Sequence, residues 1–115
     1  MIVVIFEALP RPERKDAYFA AAELLRPLLK DIEGFISIER FESVAVPGKF
    51  LSLSFWRDAA AVEQWRNLEE HRRVQGAGRS SIFADYRLRV AEVIRDYGKD
   101  ERAQAPADSR RAHGA

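Results

Sequence analysis

The chain has 115 residues, 47% of them apolar, with a formal net charge of +1 and no cysteine. That length suits one domain with a real core, and the missing thiols exclude disulfides, thiolate metal sites and thiol nucleophiles. Up to Gly98 fifteen Lys and Arg balance fifteen Asp and Glu, which argues against sequence-independent nucleic-acid binding and against attraction to an anionic membrane.

No apolar run approaches the ~18 residues of a membrane span. The opening MIVVIFEALP has neither the basic stretch nor the small-residue cleavage site of a secretion signal, so a cytoplasmic location is expected. Ile2–Glu7 is a β-branched and aromatic run and reads as a first strand, ended by Leu9-Pro10-Arg11-Pro12, where the prolines oppose further pairing. A helix is expected from about Glu13 to Ile32. Its apolar stripe is Phe19, Ala22, Leu25, Leu29 and Ile32, and Pro27 should kink it or start a fresh turn. Gly34 is placed as its C-terminal cap.

Phe35–Ser43 and Lys49–Trp56 read as two strands around Val46-Pro47-Gly48, hence an antiparallel hairpin. The second alternates, with Leu51, Leu53 and Phe55 on one side and Ser52, Ser54 and Trp56 on the other. Asp58 is a good N-cap for a helix from Ala59 to about Asn67, with helical pattern continuing toward Gln75 and loosened by Gly76-Ala77-Gly78. Tyr86–Ile94 reads as the last strand, with Tyr86, Leu88 and Val90 opposite Arg87 and Arg89.

The order βαββαβ is the ferredoxin-like arrangement: an α+β fold whose four-stranded antiparallel sheet carries its helices on one face. Residues 1–98 form the domain. Residues 99–115 hold no large apolar side chain and are expected to lack stable order. The first strand is apolar on both sides, and the second sets Ile36 and Ile38 opposite Phe35 and Phe41. A sheet with helices on one face needs cover for the other. A second copy of the same sheet is the simplest cover, so a homodimer through the sheet face is expected.

This order, with Gly34-Phe35, Pro47-Gly48, Phe55-Trp56, Trp65 and His71-Arg72, resembles the antibiotic biosynthesis monooxygenase superfamily over about residues 1–97. The resemblance implies a dimeric α+β barrel with a pocket between the sheet and helices of each subunit. Some members oxidise polyketide phenols to quinones with molecular oxygen and neither metal nor flavin; others bind and break down haem. The nine-residue distance from Trp56 to Trp65 resembles that of the haem degraders. Those proteins, however, ligate iron through a His ten residues after the helical Trp, where this chain has Gln75, and carry Asn on strand 1, where it has Glu7. No cofactor and no metal are therefore expected.

Two residues stand out for proton transfer. His71 is the one histidine before the tail, and a neutral imidazole can deprotonate a phenol. Glu7 ends strand 1, and a carboxylate beside an apolar pocket gains basicity. Trp65, Trp56, Phe19 and Tyr86, with Tyr18 and Phe83 nearby in sequence, offer the aromatic surface that a flat apolar ligand requires. The same side chains would also fill a small core. Arg40, Arg87 and Arg89 can each hold an anionic oxygen or pair with acids at the sheet rim. There is no GxGxxG, P-loop, HExxH or GxSxG. Three functions follow. The first is a cofactor-independent monooxygenase acting with oxygen on a small aromatic or polyketide-like substrate. The second is a non-catalytic dimeric module binding a small molecule. The third is a haem-binding or haem-degrading protein.

Overall fold

Alternation along each strand decides which residues meet the helices. In the computed structural model, which describes residues 1–75 and 82–113 with the side chains of 69–75 outside that description, the elements run in chain order as expected. They are β1 (Ile2–Pro10), α1 (Lys15–Lys30), β2 (Phe35–Glu42), β3 (Phe50–Trp56), α2 (Ala59–Gln75), β4 (Phe83–Glu92) and α3 (Ala107–His113). The sheet is antiparallel, in the order β2-β3-β1-β4, which is the ferredoxin-like topology. No helix is long and apolar enough to cross a membrane among the described residues.

On the helix side the register aligns four rows, each named from β2 across to β4. They are Phe35, Trp56, Ile2 and Glu92; Ile38, Ser54, Val4 and Val90; Arg40, Ser52, Phe6 and Leu88; and Glu42, Phe50, Ala8 and Tyr86. In the middle of this face Val4, Ala8, Phe50, Ser52, Ser54 and Trp56 are all buried. The other face carries Val3, Ile5 and Glu7 beside Leu51, Leu53 and Phe55, with Phe41 and Glu39 from β2 and Arg87 and Arg89 from β4. The buried side chains of α1 and α2 pack on the first face and not on this one.

Several local expectations change. β1 runs on to Pro10, which pairs with Phe83 after a register shift, and the Arg11 N–H donates to the Ile82 carbonyl at 2.8 Å. Proline cannot donate to a ladder, but a slipped register at the strand end tolerates it. β4 accordingly starts at Phe83 and stops at Glu92. A 3₁₀ turn, Pro12–Arg14, precedes α1.

α1 continues through Pro27. Glu23, whose carbonyl loses its partner there, is exposed, as is Pro27, so water can satisfy that carbonyl. The buried stripe of α1 is Tyr18, Ala22 and Leu29, not one starting at Phe19. In β2 an irregularity between Phe35 and Ser37 inserts one residue. It turns Phe35 to the same side as Ile38, where both pack on the core, and leaves Ile36 exposed.

Gly34 lies beyond the helix end, whose cap is Asp31. It adopts φ +94°, and a Cβ there would sit 2.9 Å from the Ala61 Cβ. Its carbonyl accepts the Arg57 N–H at 2.7 Å. Glycine is therefore required both by backbone conformation and by the close approach of α2. After Gly98 the chain, expected from composition to lack order, carries α3. That helix is held by neighbours in sequence: Arg102 donates to Ser109 Oγ at 2.6 Å, and Arg110 Nε to the Ala105 carbonyl at 3.0 Å.

Candidate functional site

Two groups of buried apolar side chains, not one, fill the space between sheet and helices among the described residues. The first joins Val4, Leu29, Trp56, Ala61 and Val62, with Ile38, Phe35 and Trp65 against it. The second joins Ala8, Tyr18, Phe50 and Ile82, with Phe6, Phe19 and Phe83 against it. A domain of this size usually has one contiguous core. Here the break falls on the row holding Arg40 and Ser52.

The first group is a settled core. Trp56 is fully buried, and its Nε1–H donates to Ser54 Oγ at 2.9 Å. Its ring meets Phe35 at 5.1 Å and Trp65 at 5.8 Å, both in tilted or edge-on geometry that suits aromatic pairs. With its N–H satisfied and its surface covered, Trp56 packs as a core residue and offers no group to a ligand. Trp65 is half-buried and sits at the outer margin of this group.

The second group is an aromatic cage with unmet polarity. Tyr18 packs against Phe19 at 5.3 Å, Phe83 at 5.6 Å and Phe50 at 6.0 Å, and Phe19 meets Phe50 edge-on at 5.1 Å. Tyr18 is 6% exposed, yet its hydroxyl has no hydrogen-bond partner among the described residues. The Nε of Arg40 is likewise buried and without an acceptor. Buried polar groups are nearly always satisfied, and each exception asks for an explanation. The two exceptions lie on the helix side of the sheet, Arg40 in the row of the buried Ser52 and Tyr18 on α1 against Phe50, and a polar ligand atom could satisfy either.

The residues expected from sequence are not all gathered there. Phe19 is in the cage. Tyr86 stands at its rim on β4, 54% exposed, with its ring 5.8 Å from those of Phe6 and Phe83. Trp65, on α2, packs against the first group beside Trp56. Glu7 is on the uncovered face, where the Arg89 guanidinium approaches its carboxylate at 3.3 Å. Strand alternation therefore separates Glu7 from Trp65, Phe19 and Tyr86, and it does not share their site. His71 is on α2, but its side chain lies outside the described residues, as does that of Gln75. Among the described residues no three His, Cys, Asp or Glu side chains are grouped to hold a metal ion.

Sequence reasoning undervalued Tyr18, Arg40 and Ser52. The signal for Ser52 was present: it shares a side of β3 with Trp56, so a covered Trp56 implies a covered Ser52. Tyr18 lies one residue before Phe19, where the expected stripe begins; Ala22 and Leu29 of that stripe are buried as expected.

The N-terminus of α2, which carries Trp65, is fixed by charge. Asp58 Oδ1 accepts the Ala61 N–H at 3.0 Å, and Arg57 Nε donates to Asp58 Oδ2 at 2.9 Å. The Ala61 bond first and the Arg57 guanidinium second hold the Asp58 carboxyl below the usual carboxylate range, and the bond to Asp58 pushes the Arg57 guanidinium up. This is an N-cap reinforced by a neighbouring cation.

Comparison with known proteins agrees with this architecture. Residues 1–77 match the model of the family described as antibiotic biosynthesis monooxygenase. A jasmonate monooxygenase of Pyricularia oryzae is 43% identical over 101 residues, 88% of this chain and 47% of that protein. The chain thus spans about half the length of that relative. The uncharacterized protein YqjZ of Bacillus subtilis is 32% identical over 92 residues, 80% of this chain and 78% of that protein. Among solved structures, Rv0793 of Mycobacterium tuberculosis superposes with a TM-score of 0.69 at 18% identity, covering 84% of this chain and 98% of that one. On the match to its family model and the identity to these two relatives, the chain belongs to the antibiotic biosynthesis monooxygenase family.

Proposed function

We propose that the protein is a homodimeric, cofactor-independent monooxygenase that holds a small aromatic or polyketide-like substrate between its sheet and helices and lets it react with oxygen. The observation that carries this reading is the 43% identity to a relative named for monooxygenase activity, in a chain whose covered face has an aromatic cage around an unpartnered buried hydroxyl.

In this reading the substrate supplies the electrons. A phenol that loses its proton becomes electron-rich enough to attack oxygen; one oxygen atom enters the ring as a carbonyl and the other leaves as water. The cage of Phe6, Phe19 and Phe50 orients the ring and excludes water. The Tyr18 hydroxyl donates to the substrate oxygen where negative charge grows. His71 is the proton acceptor that the sequence offers. Glu7, on the other face, serves the subunit interface in place of the base role.

The uncovered face supports the dimer. Val3, Ile5, Leu51, Leu53 and Phe55 form a continuous apolar surface in the middle of the sheet, and such surfaces on small domains mark interfaces. A second sheet laid on it would also shield the Glu7–Arg89 pair.

Isotopically labelled oxygen gas tests the activity. Incubation with a panel of polyketide-like phenols and with jasmonate should put one labelled atom in the product, with Tyr18→Phe and His71→Ala each slowing turnover by roughly 100-fold or more. Saturable binding without incorporation from any substrate would instead favour the second reading, a small-molecule-binding dimer. Haemin titration separates the third: no saturable Soret shift is expected.

A further inference from the structure

Three arginines lie on the strands, and the structure separates them. Arg87 and Arg89 are on the uncovered face, with Arg89 at 3.3 Å from the Glu7 carboxylate. Arg40 is on the covered face, in the row with Ser52 and Phe6. Its Nε is buried and has no acceptor among the described residues.

Acids near Arg40 in sequence are committed elsewhere. Glu39 points to the opposite face by alternation. Glu42, two residues along the same face, accepts the Gly48 N–H at 3.0 Å and so belongs to the hairpin turn. A guanidinium is always charged and presents its donors as a planar fork. Burying one donor of that fork without an acceptor costs stability, a cost that a ligand bringing an acceptor to Arg40 would relieve. The partner that matches a planar fork with two parallel bonds is a carboxylate.

We propose that Arg40 is a specificity-determining residue that binds a carboxylate on the substrate, so that the natural ligands of this site are small apolar acids rather than neutral phenols alone. The inference rests on the proposed function only in taking the break between the two apolar groups as the substrate site. Arg40 and the cage are correctly spaced for it. Ser52, opposite Arg40, is two residues from Phe50, against which Tyr18 packs, and two strand residues span about 7 Å. A ligand with its acid group at Arg40 would thus place its apolar body among Phe6, Phe19 and Phe50, and a second oxygen within the range of the Tyr18 hydroxyl.

The experiment compares 1-naphthylacetate with its methyl ester by isothermal titration calorimetry, on the full chain and on Arg40→Gln, Arg40→Lys and Lys15→Met. Lys15 is the control cation, because its Nζ lies 5.5 Å over the Phe50 ring. The wild-type chain should bind the acid roughly 10- to 100-fold more tightly than the ester. Arg40→Gln should abolish that preference while leaving ester affinity unchanged, Arg40→Lys should keep part of it, and Lys15→Met should keep it all. Circular dichroism checks that each variant is folded; if Arg40→Gln is not, Arg40→Lys decides. Equal affinity of acid and ester in the wild type, binding of neither, or a preference that survives in Arg40→Gln or is lost in Lys15→Met overturns the proposal. Loss of oxygen incorporation with the preference intact would sink the monooxygenase reading alone.

Discussion

The two faces of the sheet each mix polar and apolar side chains in their middle rows. The face under the helices carries Ser52, Ser54 and Arg40 in its middle rows, while the other face carries Leu51, Leu53, Phe55, Val3 and Ile5. A sheet built only to fold would place leucines under the helices and serines outside. Here Ser52 and Ser54 are buried beside Val4 and Phe50 on the first face, and Leu51, Leu53 and Phe55 line the second. The polar groups on the first face include the Tyr18 hydroxyl and Arg40 Nε, which are buried and have no hydrogen-bond partner among the described residues.

The strongest way to break this contrast is a charge in the middle of the uncovered face. Each buried leucine contributes about 1.5–3 kcal/mol, and a two-fold interface counts each substitution twice. Leu53→Glu should therefore raise the dimer dissociation constant by at least 100-fold, read by sedimentation equilibrium. An unchanged assembly state would show that this face is not the interface. Next in size is Gly34→Ala. The positive φ and the 2.9 Å approach to Ala61 Cβ together should lower unfolding free energy by about 1–3 kcal/mol, measured by urea denaturation. The loss should come with weaker ligand binding, because the same contact positions α2 and Trp65.

Tyr18→Phe sharpens the covered side of the comparison. Removing a buried hydroxyl without a partner should leave the free protein unharmed or more stable by about 1 kcal/mol, while turnover falls. A structural hydroxyl would give the reverse pattern: lost stability and unchanged activity. Thermal unfolding with and without substrate reads both quantities on one sample.

Much of the fold was legible because its signals are local. The alternation of Leu51 to Trp56, the turn at Pro47-Gly48 and the cap at Asp58 each specify one element. The family resemblance rested on residues between Gly34 and Arg72, inside the span 1–77 that the family model matches. What was not legible depends on register between distant segments. The extra residue between Phe35 and Ser37 flips one side chain of β2, and a single sequence carries no sign of it. The separation of Glu7 from Trp65 is a matter of parity on β1, which becomes decisive only once the pairing with β3 shows which parity is covered. Tyr18 and Arg40 read as ordinary aromatic and charged residues until the absence of partners singles them out.

The smallest expected effect concerns how α2 is held over the covered face. Asp58 caps that helix through the Ala61 N–H, and this bond, more than the Arg57 guanidinium, keeps its carboxyl below the usual range. A carboxyl lowered in the folded state contributes stability above its unfolded pKa of about 3.9. That contribution is lost as pH falls through the still lower folded value, since the unfolded chain then binds the proton more readily. Asp58→Asn retains an oxygen acceptor for the cap but has no charge to titrate, so at neutral pH it should be only slightly less stable than wild type. The gap between the two should narrow as pH falls through the acid range, as the wild-type carboxylate is neutralised. A gap constant with pH would mean that the cap acts through geometry alone, with the Asp58 charge and Arg57 contributing nothing to the placement of α2.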